Sequence, residues 1–313
     1  MNNSNNSRCI GTLTIGNENT GNLLAEGGKM KKNILQTVSG GYDSTCLLIK
    51  NLQEGHEVFP LYINAYSVHP AKRLVEITTV RNLIKTLQVR FDKLRGVTVV
   101  DNKQLCIRGI ISMQPLIWLL GLFAEVKKRR DDVFFDEVHI AYIMGDSAVS
   151  FQKELQAFWK ALFSFSFPET DKYPKLVFPL LKCCKEIIIN ELSSYDYSIL
   201  ASCWTCENPH VISKKSSKSN DKHVYIEPCG ACRTCTNLKA TSPFRTPKRY
   251  KATFNADKFS KDHNSIINRI INETDIFHIP EEYLSIEETN DKMPVKRKPH
   301  NKCRTDVSNP KTN

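Results

Sequence analysis

The sequence lacks any apolar stretch long enough to cross a bilayer. Its longest such run, Met113 to Val126, is broken by Gln114 and Glu125 and falls short of the roughly 20 residues a spanning helix needs. It lacks a secretory leader as well: the opening MNNSNNSRCIG has no basic stretch followed by an apolar run and a small-residue cleavage site, which predicts a cytoplasmic chain with no membrane partner. There is no internal repeat, so repeat architectures are set aside. Neither GxxxxGK[ST] nor GxGxxG occurs, which removes the ordinary P-loop and dinucleotide readings. In a reducing compartment the eleven cysteines point to metal ligands and buried thiols rather than to a disulfide framework.

What is present is a globular composition. The 313 residues, 41% hydrophobic and 25% charged, suffice for one large core or two modest ones. A net charge of +11 makes a polyanionic partner such as nucleic acid or nucleotide phosphate possible, although solubility alone accounts for an excess of this size.

Residues 1–29 are rich in Asn, Gly and Ser without periodicity and are expected to be a flexible extension. From Met30 strand-like and helix-like runs alternate: Ile34 to Val38, Asp43 to Glu54 closed by Gly55, Val58 to Ile63, Ala71 to Gln88. The rhythm continues through Met113 to Arg130, a strand at Val138 to Ile143, a helix at Phe151 to Phe163, a strand at Leu176 to Leu181 and a helix at Lys185 to Leu192. This pattern predicts an α/β domain over 30–198, a parallel sheet with helices on both faces. A cysteine-bearing region follows over 199–240, with a polar stretch at 210–223, Ser213 to Lys222 at its centre, expected to be a solvated loop. Residues 241–313 read as a basic, partly disordered extension with a helix near Ile266 to Ile271.

Two stretches carry chemistry. In Val38-Ser39-Gly40-Gly41-Tyr42-Asp43-Ser44-Thr45 a strand ends and a helix begins. Two glycines let backbone approach a ligand, and the helix start aims N–H groups and its positive dipole end at an anion. Ser39 and Ser44 add hydroxyls, while Asp43 is suited to magnesium or to capping the helix. A plain glycine turn with a helix cap fits the spacing equally well. The second stretch, Cys229-Gly-Ala-Cys232-Arg-Thr-Cys235 with Cys203-Trp-Thr-Cys206 before it, offers five thiols for the four positions of a tetrahedral zinc. Iron–sulfur ligation is the rival.

The hexapeptide SGGYDS resembles the SGGxDS signature of the PP-loop ATP pyrophosphatase family. That resemblance implies an adenine nucleotide alpha hydrolase-like, Rossmann-like fold that uses ATP and magnesium. It also implies that Ser39, Gly40, Gly41, Tyr42, Asp43 and Ser44 grip the pyrophosphate, with Asp43 and Ser44 in the catalytic role, and that Leu61, Tyr62 and Ile63 hold the adenine. Ser202-Cys203-Trp204 followed by CGxCxxC is similar to the ending of the 7-cyano-7-deazaguanine synthases, which implies Cys203, Cys229, Cys232 and Cys235 as the zinc ligands. Phe178-Pro179-Leu180 with Lys185 is similar to a further segment of those enzymes. The Pro-Gly-Arg-Asn segment of that group is absent from Cys106 to Pro115, and Ser150-Phe151-Gln152 lacks its Tyr and second Asp. Arg108, Gln114, Asp146 and Lys185 are the substrate-side candidates.

The resemblance implies that ATP activates 7-carboxy-7-deazaguanine for attack by ammonia, in a homodimer. Two other classes stay open. One is a different PP-loop adenylating enzyme, such as a tRNA thiolase, a lysidine-type ligase or a phage- or defence-associated homologue with another acceptor. The other is a non-enzymatic zinc-ribbon module in which SGGYDS is only a helix cap.

Overall fold

The computed structural model describes residues 30–64, 70–101, 114–170, 172–215, 222–236, 249–254 and 284–289. The flexible extension expected at 1–29, Arg108, the helix expected at Ile266 to Ile271 and the basic tail lie outside these residues.

Five strands, β1 (Asn33–Thr37), β2 (Glu57–Asn64), β3 (Thr98–Asp101), β4 (Glu137–His139) and β5 (Lys175–Val177), form a sheet in the order β3-β2-β1-β4-β5, and every pairing is parallel. Parallel neighbours require crossovers, and helices supply them. Helices α1 (Tyr42–Gln53), α2 (Pro70–Gln88), α5 (Lys185–Tyr195) and α6 (Tyr197–Ser202) pack on one face, with Leu47, Val80, Leu87, Ile188 and Leu200 in a common core. Helices α3 (Gln114–Arg129) and α4 (Gln152–Ser166) cover the other face through Ile117, Leu122, Leu155, Trp159 and Phe163. Strand side chains alternate between the layers: Val58 and Tyr62 enter the first core, Phe59, Leu61 and Ile63 the second. This is the doubly wound α/β fold expected from the alternating runs.

Local chemistry explains where elements stop. Helix α1 ends at Gly55, whose φ of 80° suits glycine. Gly55 N–H donates to the Leu52 carbonyl at 3.0 Å and His56 N–H to that of Asn51 at 3.1 Å, the Schellman pairing that satisfies orphan carbonyls. The strand expected at Leu176 to Leu181 stops at Val177, since Pro179 has no N–H for a ladder. Strand β4, expected to reach Ile143, stops at His139, the last residue paired with both neighbouring strands.

A second sheet corrects the expectation of a solvated loop at 210–223. Strand β6 (His210–Lys215) pairs antiparallel with β7 (Lys222–Glu227), β7 with β8 (Arg249–Phe254), and β8 with β9 (Leu284–Thr289). The polar composition of this stretch misled because strand pairing is set by ladder partners elsewhere in the chain; residues 216–221, between β6 and β7, lie outside the described residues. Strands β8 and β9 also fall in the region read as a partly disordered extension. The sheet docks on α2: Ala71 and Val75 pack with Trp204, Ile226 and Tyr250, and the Thr79 and Tyr250 hydroxyls share a buried 2.7 Å hydrogen bond. Tyr250→Phe leaves the Thr79 hydroxyl without this partner in an apolar seam. It is expected to cost about 1–3 kcal/mol, read as a lowered midpoint in thermal or urea unfolding with an unchanged far-UV spectrum.

Candidate active site and cysteine cluster

The strand order reverses between β1 and β4, and in open α/β sheets the crevice outside the carboxyl ends at such a point is where ligands sit. The SGGYDS loop leads from the end of β1 into α1. Gly40 takes a φ of 74°, and a Cβ there would lie 2.9 Å from Thr79 Cγ2, so both torsion and space demand glycine. Gly41 is the N-cap of α1, and no side chain caps that helix. The two serines converge: Ser39 N–H donates to Ser44 Oγ at 3.2 Å, the hydroxyls lie 3.3 Å apart, and Ser44 Oγ–H donates to the Gly41 carbonyl at 3.3 Å. Below the loop a buried polar relay fixes α1. Gln36 Nε2 donates to the Ser44 carbonyl at 2.8 Å, and Asn51 Nδ2 donates to Gln36 Oε1 at 2.9 Å and lies 3.1 Å from His139 Nδ1.

Asp43, on the first turn of α1, faces across the crevice. Its Oδ2 accepts from Lys185 Nζ at 2.5 Å, while Oδ1 is buried with no hydrogen-bond partner among the described residues. Burial raises the Asp43 pKa, Lys185 opposes the rise and the nearby Asp146 charge adds to it. A buried carboxylate oxygen without a donor beside a second carboxylate suits a divalent cation, so Asp43 and Asp146 are the residues that fit magnesium. Asp146 is itself held by the Ile143 N–H, which donates to its Oδ2 at 2.9 Å. The fold thus brings together Asp43, Lys185 and Asp146, 142 residues apart at the Lys185–Asp43 bond.

On the other side of Ser39 lies a cavity of about 100 Å³ between β1, β2, α2 and α3. Leu61, Tyr62, Ile63 and Gln114 border it, with Lys72, Glu76, Trp118 and Glu207. The latter four went unnoticed in the sequence. Lys72 and Glu76 form an i,i+4 pair, a spacing that reads as a solvated helix face; here it is buried because the segment carrying Glu207 covers it. Lys72 Nζ lies 3.4 Å from Glu76 Oε1 and also pairs with Glu207, and Tyr62 O–H donates to Glu76 Oε2 at 3.3 Å.

Burial lifts the Glu76 pKa to about 7, against the pull of Lys72. Between the ordinary carboxyl value of 4.5 and about 7 the folded chain holds a proton that the unfolded chain has released, so stability falls as pH rises through this window. Glu76→Gln is expected to flatten that decline. Urea midpoints measured from pH 4.5 to 8 check this, and an unaltered slope in the variant contradicts it.

The cysteine cluster differs from expectation at one ligand. The sulfurs of Cys206, Cys229, Cys232 and Cys235 all lie within 4.8 Å of one another, and those of Cys206 and Cys229 are 3.6 Å apart. Cys203 is not among them. It caps the end of α6, so its thiol points back along the helix to the Ile199 carbonyl at 3.4 Å and to Thr45 at 3.6 Å, inside the core shared by α1 and α5. Cys206, read from the sequence as a bystander, takes the fourth place. Four thiolates on one tetrahedral ion with bonds near 2.3 Å sit about 3.8 Å apart, which the observed spacing fits; a cubane, which binds each cysteine through a different iron, spreads them wider.

Backbone N–H groups prepare the cluster. Those of Cys229 and Cys232 donate to the sulfurs of Cys206 and Cys229, each at 3.2 Å, and the Cys235 N–H donates to Cys232 Sγ at 3.4 Å. At Cys232 burial opposes ionisation, but the N–H donors of Cys235 and Glu207, with the neighbouring thiols of Cys235 and Cys229, outweigh it and bring the thiol to about 7. Burial pushes the Cys206 and Cys235 thiols up, the latter to about 11, so only a bound cation makes all four thiolates favourable. Cys206→Ser is expected to lose bound metal, whereas Cys203→Ser keeps it. Metal content of the purified variants by elemental analysis decides between the two assignments.

No protein-family model matches the chain, and no curated protein matches it. Among solved structures, it is similar to the U34-tRNA thiolase NcsA from Methanococcus maripaludis with its [4Fe-4S] cluster. The identity is 15% with a TM-score of 0.36, covering 54% of this chain and 60% of that one. It is also similar to NMN synthetase from Francisella tularensis at 13% identity and a TM-score of 0.33, covering 54% and 65%. The chain therefore spans under two thirds of each neighbour, and its doubly wound architecture rests on its own strand order and helix layers. Among the described residues no helix is long and apolar enough to cross a membrane.

Proposed function

We propose that the protein is an ATP-dependent, AMP-forming ligase whose phosphate loop is SGGYDS. The observation that carries this reading is the convergence at one switch-point crevice of the uncapped start of α1, the paired Ser39 and Ser44 hydroxyls, and Asp43 with its buried unpartnered oxygen beside Lys185 and Asp146. In this reading the pyrophosphate of ATP lies on the loop, its negative charge met by helix N–H groups and by Lys185. Asp43 and Asp146 hold magnesium, which supplies charge neutralisation at the phosphates when bound. Leu61, Tyr62 and Ile63 border the base.

The acceptor we propose is 7-carboxy-7-deazaguanine, on the strength of the ordered resemblance of SGGYDS, Pro179-Leu180 with Lys185, and the CGxCxxC run. The acceptor carboxylate attacks the α-phosphorus and pyrophosphate leaves; ammonia then displaces AMP from the acyl adenylate, giving the amide. The amide oxygen attacks a second ATP, again releasing pyrophosphate, and expulsion of AMP with loss of two protons gives 7-cyano-7-deazaguanine. Substrate atoms do the bond-making, so the chain's work is to position reactants and balance charge. Zinc on Cys206, Cys229, Cys232 and Cys235 has no open position and is structural. Gln114 borders the same cavity as the base.

The test is to incubate the protein with ATP, magnesium, ammonium and 7-carboxy-7-deazaguanine and to follow AMP, pyrophosphate and product mass. Nitrile is expected from the wild type, with a loss of at least about 100-fold in Asp43→Ala. ATP cleavage without nitrile overturns the acceptor and keeps the ligase. Absence of ATP binding and cleavage in metal-loaded folded protein overturns both.

A further inference from the structure

The cavity beside Ser39 is more elaborate than a plain apolar slot for a ring. One wall is an aromatic stack fixed from behind: the Trp118 indole lies parallel to Tyr142 (centroids 5.7 Å, interplanar 7°), and Tyr142 stacks in turn on Phe178 (5.8 Å, 23°). Trp118 borders the cavity and Tyr142 does not, so the indole surface presented there lies outside the stacking contact. The same lining carries a carboxylate and an ammonium side by side, Glu76 and Lys72, 3.4 Å apart.

Their bonding capacity is not exhausted by each other. A carboxylate has about four acceptor sites; Glu76 uses one on Lys72 and one on the Tyr62 hydroxyl. An ammonium has three donors, of which Lys72 places two on Glu76 and Glu207. Glu207 follows the cluster cysteine Cys206, so the folded cysteine segment holds the ammonium against the cavity. An acceptor and a donor, both held in place, thus face a pocket with an aromatic wall. Elsewhere the lining joins apolar Val38, Leu61 and Ile63 to polar side chains, Thr37, Arg73 and Gln114 among them, but none of these sets a carboxylate beside an ammonium.

We propose that Glu76 and Lys72 are the residues that select the purine base of the bound nucleoside triphosphate, reading a ring edge that presents an amino donor next to a ring-nitrogen acceptor. The inference rests on the ligase reading above, which places a triphosphate on the adjoining loop. Adenine carries this pattern: the 6-amino group donates to Glu76 and ring nitrogen 1 accepts from Lys72, while the ring lies against Trp118. Hypoxanthine and guanine present the reverse, a carbonyl oxygen toward the carboxylate and an N–H toward the ammonium. Two mismatched contacts at once discriminate far more than a lost methylene does. The ring cannot turn over to restore the match, because its triphosphate is anchored beside Ser39.

The experiment is a calorimetric titration of the metal-loaded protein with ATP, ITP and inorganic pyrophosphate, at pH 8 in magnesium buffer, on wild type, Glu76→Gln and Lys72→Met. At pH 8 Glu76 is above the value of about 7 to which burial lifts it and is ionised. Wild type is expected to bind ATP at least about tenfold more tightly than ITP. Glu76→Gln, whose amide donates as well as accepts, is expected to bring this ratio below about threefold chiefly by gaining ITP affinity, while pyrophosphate affinity stays within about twofold. A gain of affinity for one ligand excludes misfolding as the cause. Lys72→Met is expected to weaken ATP about tenfold or more with pyrophosphate unchanged. If wild type binds ATP but the ATP-to-ITP ratio is near one, or if the ratio survives both substitutions, base selection by this pair is overturned and the ligase reading stands. If wild type binds neither ATP nor pyrophosphate, both are overturned together.

Discussion

The N–H of Trp204 donates to the carbonyl of Gly40 at 2.9 Å, and much of the site depends on this one backbone bond. It pins the segment between α6 and the cysteine cluster onto the loop that joins β1 to α1. The loop must take a left-handed turn at Gly40 against Thr79, and its carbonyl is thereby presented to a residue 164 positions away. With Trp204 fixed, its ring packs against Tyr250 of the second sheet (centroids 5.5 Å, interplanar 77°). Its indole N–H donates to the Cys206 carbonyl at 3.0 Å, and Glu207 falls over Lys72. Loop, cavity and cysteine cluster are therefore one construction.

This arrangement gives the cluster a role beyond holding its own segment. A metal bound by four thiolates contributes folding free energy directly, and the cysteines that could hold one pack in the same small core as Ala71 and Val75 of α2, so that energy would reach the cavity wall. The catalytic chemistry proposed for the crevice requires no protein nucleophile. It requires that charges be placed before the substrate arrives, because electrostatic stabilisation is strongest when the groups need not reorganise. The buried relay from Glu137 through His139, Asn51 and Gln36 to the Ser44 carbonyl serves that end by fixing α1 to the sheet underneath the loop. The ionised state of Glu137 is favoured strongly, to about 2, by its hydrogen bonds with His139 and Lys32, which anchors the relay at the far end of the sheet.

The sequence by itself determined the local elements of the α/β domain and the two stretches that carry chemistry. Helix periodicity and strand runs are properties of neighbours in the chain, so β1, α1, β2, α2, α3, α4 and α5 were legible to within a few residues, as was the glycine turn at Gly40. The tertiary structure decided what long-range contact controls. Cys203 and Cys206 stand three residues apart in one motif, and only the end of α6 and the packing of its thiol against Thr45 show that Cys203 faces the core and Cys206 the cluster. Strands β6 to β9 escaped notice because their order comes from pairing with partners up to 40 positions away, as for Arg249 and Thr289, not from apolar pattern. Lys72 and Glu76 went unnoticed because an i,i+4 pair ordinarily lies on a solvated helix face, whereas here the cysteine segment covers it. Burial is a property of what covers a residue, and the covering chain here arrives from more than a hundred residues downstream.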